Sequence, residues 1–111
     1  MSRVFRIQVE VGHMSGCQLP EDAAGAFVNV YVGALTIRDA LDLAERYLIE
    51  DRYRPIDISV AYELDLEGVD YDTDETGYPG HADLEEIRLH GGRWYGPFNT
   101  FPHGGSDVGD D

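Results

Sequence analysis

The chain contains no lysine: its eight basic residues are all arginine, set against 22 Asp and Glu, for a net charge of -14. An excess of that sign repels a phosphate backbone and an anionic bilayer, so neither direct nucleic-acid binding nor membrane-surface binding is expected. Cysteine is nearly missing too, and the lone Cys17 excludes an intrachain disulfide. No apolar run approaches the ~20 residues that cross a bilayer as a helix. Near the amino end, Arg3 and Arg6 interrupt the apolar residues at once, unlike the apolar stretch of a signal peptide. A cytoplasmic location is the expectation. The glycines form neither a P-loop nor G-x-G-x-x-G, so no nucleotide cradle and no cofactor is expected.

What is present is a folding composition. With 42% hydrophobic and 11% aromatic residues in 111 positions, the chain has material for one core and not for two. The expected layout is a single domain over 1–98 and a flexible acidic, Gly-rich tail over 99–111.

Arg3 to Val11 alternates, with Phe5, Ile7, Val9 and Val11 on one side and Arg6, Gln8 and Glu10 on the other, the mark of a half-buried strand. Gly12 to Gly25 reads as a long loop. Ala26 to Val32 is a second strand, apolar enough on its second face (Phe27, Tyr31) to be central. Thr36 is a candidate N-cap for a helix running to Tyr53, where Ile37, Ala40, Leu41, Ala44, Tyr47 and Leu48 recur at three- and four-residue spacing. Pro55 is the expected stop. Ile56 to Leu66 then alternates through six repeats, which predicts Ile56, Ile58, Val60, Tyr62, Leu64 and Leu66 on the core side. Glu85–His90 and Arg93–Phe98 read as a final hairpin turned by Gly91-Gly92. The expected fold is α+β: one antiparallel-rich sheet of about five strands, a single helix on one face, order β-β-α-β-β-β.

Charge is far from evenly spread. Residues 63–86 hold ten acids (Glu63, Asp65, Glu67, Asp70, Asp72, Asp74, Glu75, Asp83, Glu85, Glu86) and no base. Such a concentration costs stability through self-repulsion, and solubility alone does not require it in one place. On an extended segment, Glu63, Asp65 and Glu67 would form a row of carboxylates spaced about 6.6 Å apart. A row of that kind complements a basic cleft, including one built for a phosphate backbone. The plainer alternative is a solvated acidic loop with no partner.

The same stretch also reads as a cation site. Asp70-Tyr71-Asp72-Thr73-Asp74 resembles the opening of an EF-hand loop, yet Glu75 stands where that loop needs Gly and His81 where it needs its bidentate acid. His13, His81, His90, His103 and Cys17 match no zinc spacing beyond the isolated pair His13 and Cys17. Acidic surroundings would raise a Cys17 thiol pKa, the wrong direction for a nucleophile, so no enzyme is expected. Aromatics set among the carboxylates, Tyr71 and Tyr78, together with Trp94 in a strand that turns Tyr95 to the opposite face, offer contact area where the acids offer steering.

The reading that follows is a non-catalytic inhibitor or sequestering protein for a basic partner, such as a nucleic-acid-directed enzyme or toxin. Its contact residues would be Glu63, Asp65, Glu67, Asp70, Tyr71, Asp72, Asp74, Glu75, Tyr78 and Trp94. In size and charge the chain is similar to toxin-immunity proteins and to phage-coded inhibitors that imitate DNA. Two alternatives stand beside it: a divalent-cation module using Asp70, Asp72 and Asp74, and a structural subunit that forms a homodimer through an exposed edge such as strand one.

Overall fold

A computed structural model describes residues 2–14, 16, 19–72 and 77–102. The elements are β1 (Arg3–Gly12), β2 (Ala23–Ala34), α1 (Ile37–Glu50), β3 (Arg54–Glu63), α2 (His81–His90), β4 (Arg93–Tyr95) and β5 (Asn99–Pro102). The five strands form one antiparallel sheet in the order β3-β1-β2-β4, with β5 pairing the other end of β2. Helix α1 packs on one face, which is the α+β architecture the alternating segments imply.

The inner face is closed by Ile7, Val9 and Val11 from β1, Val28, Val30 and Val32 from β2, and Ala40, Ala44 and Leu48 from α1. Small residues at Ala40 and Ala44 let the helix approach the valine surface closely, and Leu48 fills the space beyond them. Thr36 Oγ1 accepts the Asp39 N–H at 3.1 Å, so the expected N-cap is in place. The helix ends at Glu50, three residues before the expected Tyr53. Arg52 adopts φ 70°, its N–H bonds the Ile49 carbonyl at 3.1 Å, and the Tyr53 N–H bonds the Leu48 carbonyl at 2.8 Å. That is a Schellman ending with arginine where glycine is usual, and it stops the helix before Pro55 can.

Asp51, just past the helix end, accepts the Tyr95 hydroxyl at 2.5 Å and Arg93 Nε at 3.0 Å. The Arg93 guanidinium in turn lies 4.5 Å from the centre of the Tyr47 ring. A carboxylate is unfavourable at a helix C-terminus, and Arg93 offsets it while tying α1 to β4. Burial pushes the Tyr95 phenol above its ordinary value, with its hydrogen bond to Asp51 and the charge of Asp51 acting the same way.

Four expectations need correction. Glu85–His90 is the end of helix α2 and not a hairpin strand. The run Ile87-Arg88-Leu89-His90 alternates, but Leu84 and Ile87 at three-residue spacing are the side chains that become buried. Gly91 (φ 78°) and Gly92 (φ 104°) release the chain from that helix into β4. There are thus two described helices instead of one, and they lie on opposite faces of the sheet. Asn99–Pro102, expected to begin the tail, pairs with β2 as β5, where the Phe101 ring lies 5.3 Å from Phe27.

Strand β3 keeps its position but not its faces. Register shifts at Gln8/Val9 and Glu10/Val11 insert extra residues, so Pro55, Ile58 and Ala61 oppose the inward Val11, Val9 and Ile7. Ile56, Val60 and Tyr62, expected in the core, are exposed. Strand one is no edge either: β1 lies between β2 and β3, so those two are not neighbours and the edges are β3 on one side and β4 with β5 on the other. Pro55 and the two bulges blunt the β3 edge. No described helix is long and apolar enough to cross a membrane.

Arg52→Gly relieves a left-handed backbone at the cost of a more flexible unfolded chain, and is expected to add roughly 0.5–1 kcal/mol of stability. The check is a higher urea midpoint at unchanged m. The raised Tyr95 phenol contributes stability that is complete below the ordinary tyrosine value of 10.0 and is lost as pH climbs above it. Tyr95→Phe should therefore melt lower than wild type at neutral pH and show a shallower decline in melting temperature through the alkaline range.

Candidate functional site

Beyond Glu63 the chain leaves the sheet edge and crosses the end of its outer face. Leu64 and Leu66 are buried there with Val4, Tyr31, Leu84 and Ile87, a second apolar cluster that shares no residue with the first. Helix α2 closes this cluster from above. Burial beneath it pushes the Tyr31 phenol upward, partly countered by the Arg6 charge.

With Leu64 and Leu66 turned inward, Glu63, Asp65 and Glu67 are exposed. They do not form the regular extended row, because the strand ends at Glu63 and the chain turns at once. Asp65 Oδ1 accepts the N–H groups of Glu67 (3.2 Å) and Gly68 (2.9 Å) and so makes the turn. Asp70 does the same for the Asp72 N–H at 3.0 Å.

Several acids of the segment have structural tasks. Asp72 Oδ1 accepts the His81 N–H at 2.8 Å, and Asp83 Oδ2 accepts the Gly80 N–H at 2.9 Å. Both carboxylates thereby satisfy orphan donors at the positive end of α2, where the N-cap Gly80 has no side chain to do so. Glu85 holds Arg88 at 2.7 Å, and Glu86 lies 3.7 Å from His90. Glu63 lies 3.8 Å from Arg3, both half exposed, a contact of small energetic weight.

Glu63, Asp65, Glu67 and Asp70 form an exposed lip between two open grooves, with Asp72, Asp83 and Glu86 exposed as well. One groove, of about 430 Å³, is floored by Val4, Leu64 and Leu66 and bounded by Arg3, Glu85 and Arg88. The other, of about 510 Å³, is bounded by Asp70, Asp72 and His81. Val69, 47% exposed, stands among the carboxylates. Arg3, His81 and Arg88 join the grooves only through tertiary packing.

The aromatic residues sit deeper than their pattern implied. The Tyr71 hydroxyl accepts the Asp65 N–H at 3.2 Å, and Trp94 Nε1 donates to the Gly77 carbonyl at 3.0 Å. Both rings pack against the second cluster and pin the connection to the sheet. Tyr78 is half-buried. Trp94 and Tyr95 do face opposite sides, Tyr95 toward the α1 core.

Asp74 and Glu75 lie outside the described residues, as do Cys17 and His103. Among the described residues no three His, Cys, Asp or Glu side chains converge as metal ligands. Asp70 and Asp72 each turn an oxygen to a backbone N–H, and the His13 ring lies 2.5 Å from the Ala23 carbonyl.

Asp72→Ala should lower stability by about 1 kcal/mol through loss of the α2 cap, while Asp72→Asn, which keeps the acceptor, should cost much less. Urea titrations of the two variants beside wild type give the comparison. No protein-family model, no curated protein and no solved structure matches this chain.

Proposed function

We propose that this chain is a small non-catalytic cytoplasmic protein that binds a basic partner protein and inhibits or sequesters it. The observation that carries the reading is the lip formed by Glu63, Asp65, Glu67 and Asp70. Two buried leucines hold it outward, and it belongs to a 24-residue segment (63–86) with ten acids and no base. Folding opposes such crowding of like charge, and a cationic surface relieves it. Val69 and Tyr78 supply apolar contact beside the charges, whereas Tyr71 and Trp94 act by holding the segment in place. Asp74 and Glu75 extend the same run in sequence. A partner whose own cleft is built for phosphates would present the matching charge, which is how such a surface would block a nucleic-acid-directed enzyme or toxin.

The test separates contact acids from capping acids. Glu63→Gln, Glu67→Gln and Asp70→Asn combined remove three charges and leave Asp72 and Asp83 at the helix end. Tagged wild type and variant are incubated with lysate of the source cell and washed at low and then high salt. The wild type should retain a basic protein at low salt, and the variant should bind the purified partner at least about tenfold more slowly with a flatter salt dependence. Equal retention and equal salt response of the two proteins would sink the proposal.

A further inference from the structure

Helix α2 is attached to the fold differently from every other element. The chain leaves the sheet at Glu63 and re-enters it at Arg93, and among the described residues no strand lies between them. Its apolar contacts form a cluster separate from the α1 core, to which the sheet strands contribute only Val4 and Tyr31 as buried members. Among the described residues, the backbone bonds that tie this segment to the rest include Leu64 N–H to the Val4 carbonyl at 2.9 Å, Ser2 N–H to the Arg88 carbonyl at 3.0 Å and Gly33 N–H to the Gly92 carbonyl at 3.5 Å.

Both ends of the helix are glycine. Gly80 precedes it, and Gly91 and Gly92 follow with positive φ, a conformation that glycine adopts freely. A methyl group built on Gly91 or Gly92 would meet nothing within 4 Å, so the outer side of this exit is open, while its inner side rests on Gly33 of β2.

We infer that α2, with the strap of residues 64–72, opens from the outer sheet face as one cooperative unit while the five-stranded sheet and the α1 core stay folded. Opening uncovers Val4, Tyr31 and the inner sides of Leu64, Leu66, Leu84 and Ile87, an apolar surface next to the acidic lip. Seating covers it. The molecule therefore carries two conformations of its acidic segment on one invariant scaffold.

Native-state hydrogen exchange of the intact chain tests this. In wild type the amides of Leu84 to Arg88 should exchange at least roughly tenfold faster than those of Ile7 to Val9. The deciding variant lies in the other core. Leu48→Ala destabilises the seated and the open state alike, so it should speed β1 exchange at least about thirtyfold and leave α2 exchange at the wild-type rate. Should Leu48→Ala not fold, the milder Ile7→Val serves, with a smaller acceleration in β1 and again none in α2. Acceleration of α2 in step with β1 would show that the helix leaves only when everything unfolds, and would overturn the inference.

Discussion

Strand β1 is hydrogen-bonded along both edges, to β2 and to β3, and its inward residues Ile7, Val9 and Val11 are fully enclosed. A slip of one residue against either neighbour would place Arg6, Gln8 and Glu10 in the apolar layer beneath α1, so the register tolerates no error. Everything else follows from that strand. Strand β2 reaches past it to carry β4 and β5 on its far edge, and β3 accommodates it with two bulges. Helix α1 covers the face on which β1 and β2 present their branched side chains.

The opposite face is where the charge problem is handled. Among the described residues its cover lies at the end near Val4 and Tyr31, and that cover is the most acidic part of the chain. Leu64, Leu66, Leu84 and Ile87 supply the apolar contact that keeps it there. Some carboxylates are turned to use: Asp72 and Asp83 satisfy the exposed donors of α2, and Asp65 and Asp70 close local turns. Asp65 and Asp70 thus hold turns of the segment while staying exposed on it, beside the exposed Glu63 and Glu67. The proposed surface for a basic partner and the proposed opening of α2 both rest on this arrangement.

Legibility in the sequence varied with the range of the forces involved. The two N-terminal strands and α1 could be read because period-two and period-3.6 patterns report burial directly, and the Thr36 cap acts across three residues. The faces of β3 could not, since its bulges arise from pairing with β1, some fifty residues away. Helix α2 is hidden for a related reason: Ile87 and Leu89 alternate like a strand, and the burial that selects Leu84 with Ile87 comes from Val4 and Tyr31. The Asp51, Arg93 and Tyr95 cluster joins positions more than forty residues apart and left no local signature.

By itself the sequence determined the fold class, the alternating strands that make the inner face, and the confinement of ten acids to one segment. These rest on residue type and spacing, which the chain carries wherever it is placed. Tertiary structure alone decided which acids are spent on capping α2 and which remain on the lip. It also decided that Tyr71 and Trp94 pin the segment, and that the second helix lies across the sheet from the first. A carboxylate's role depends on the nearest unsatisfied donor, and the identity of that donor is known only once the chain has folded back on itself.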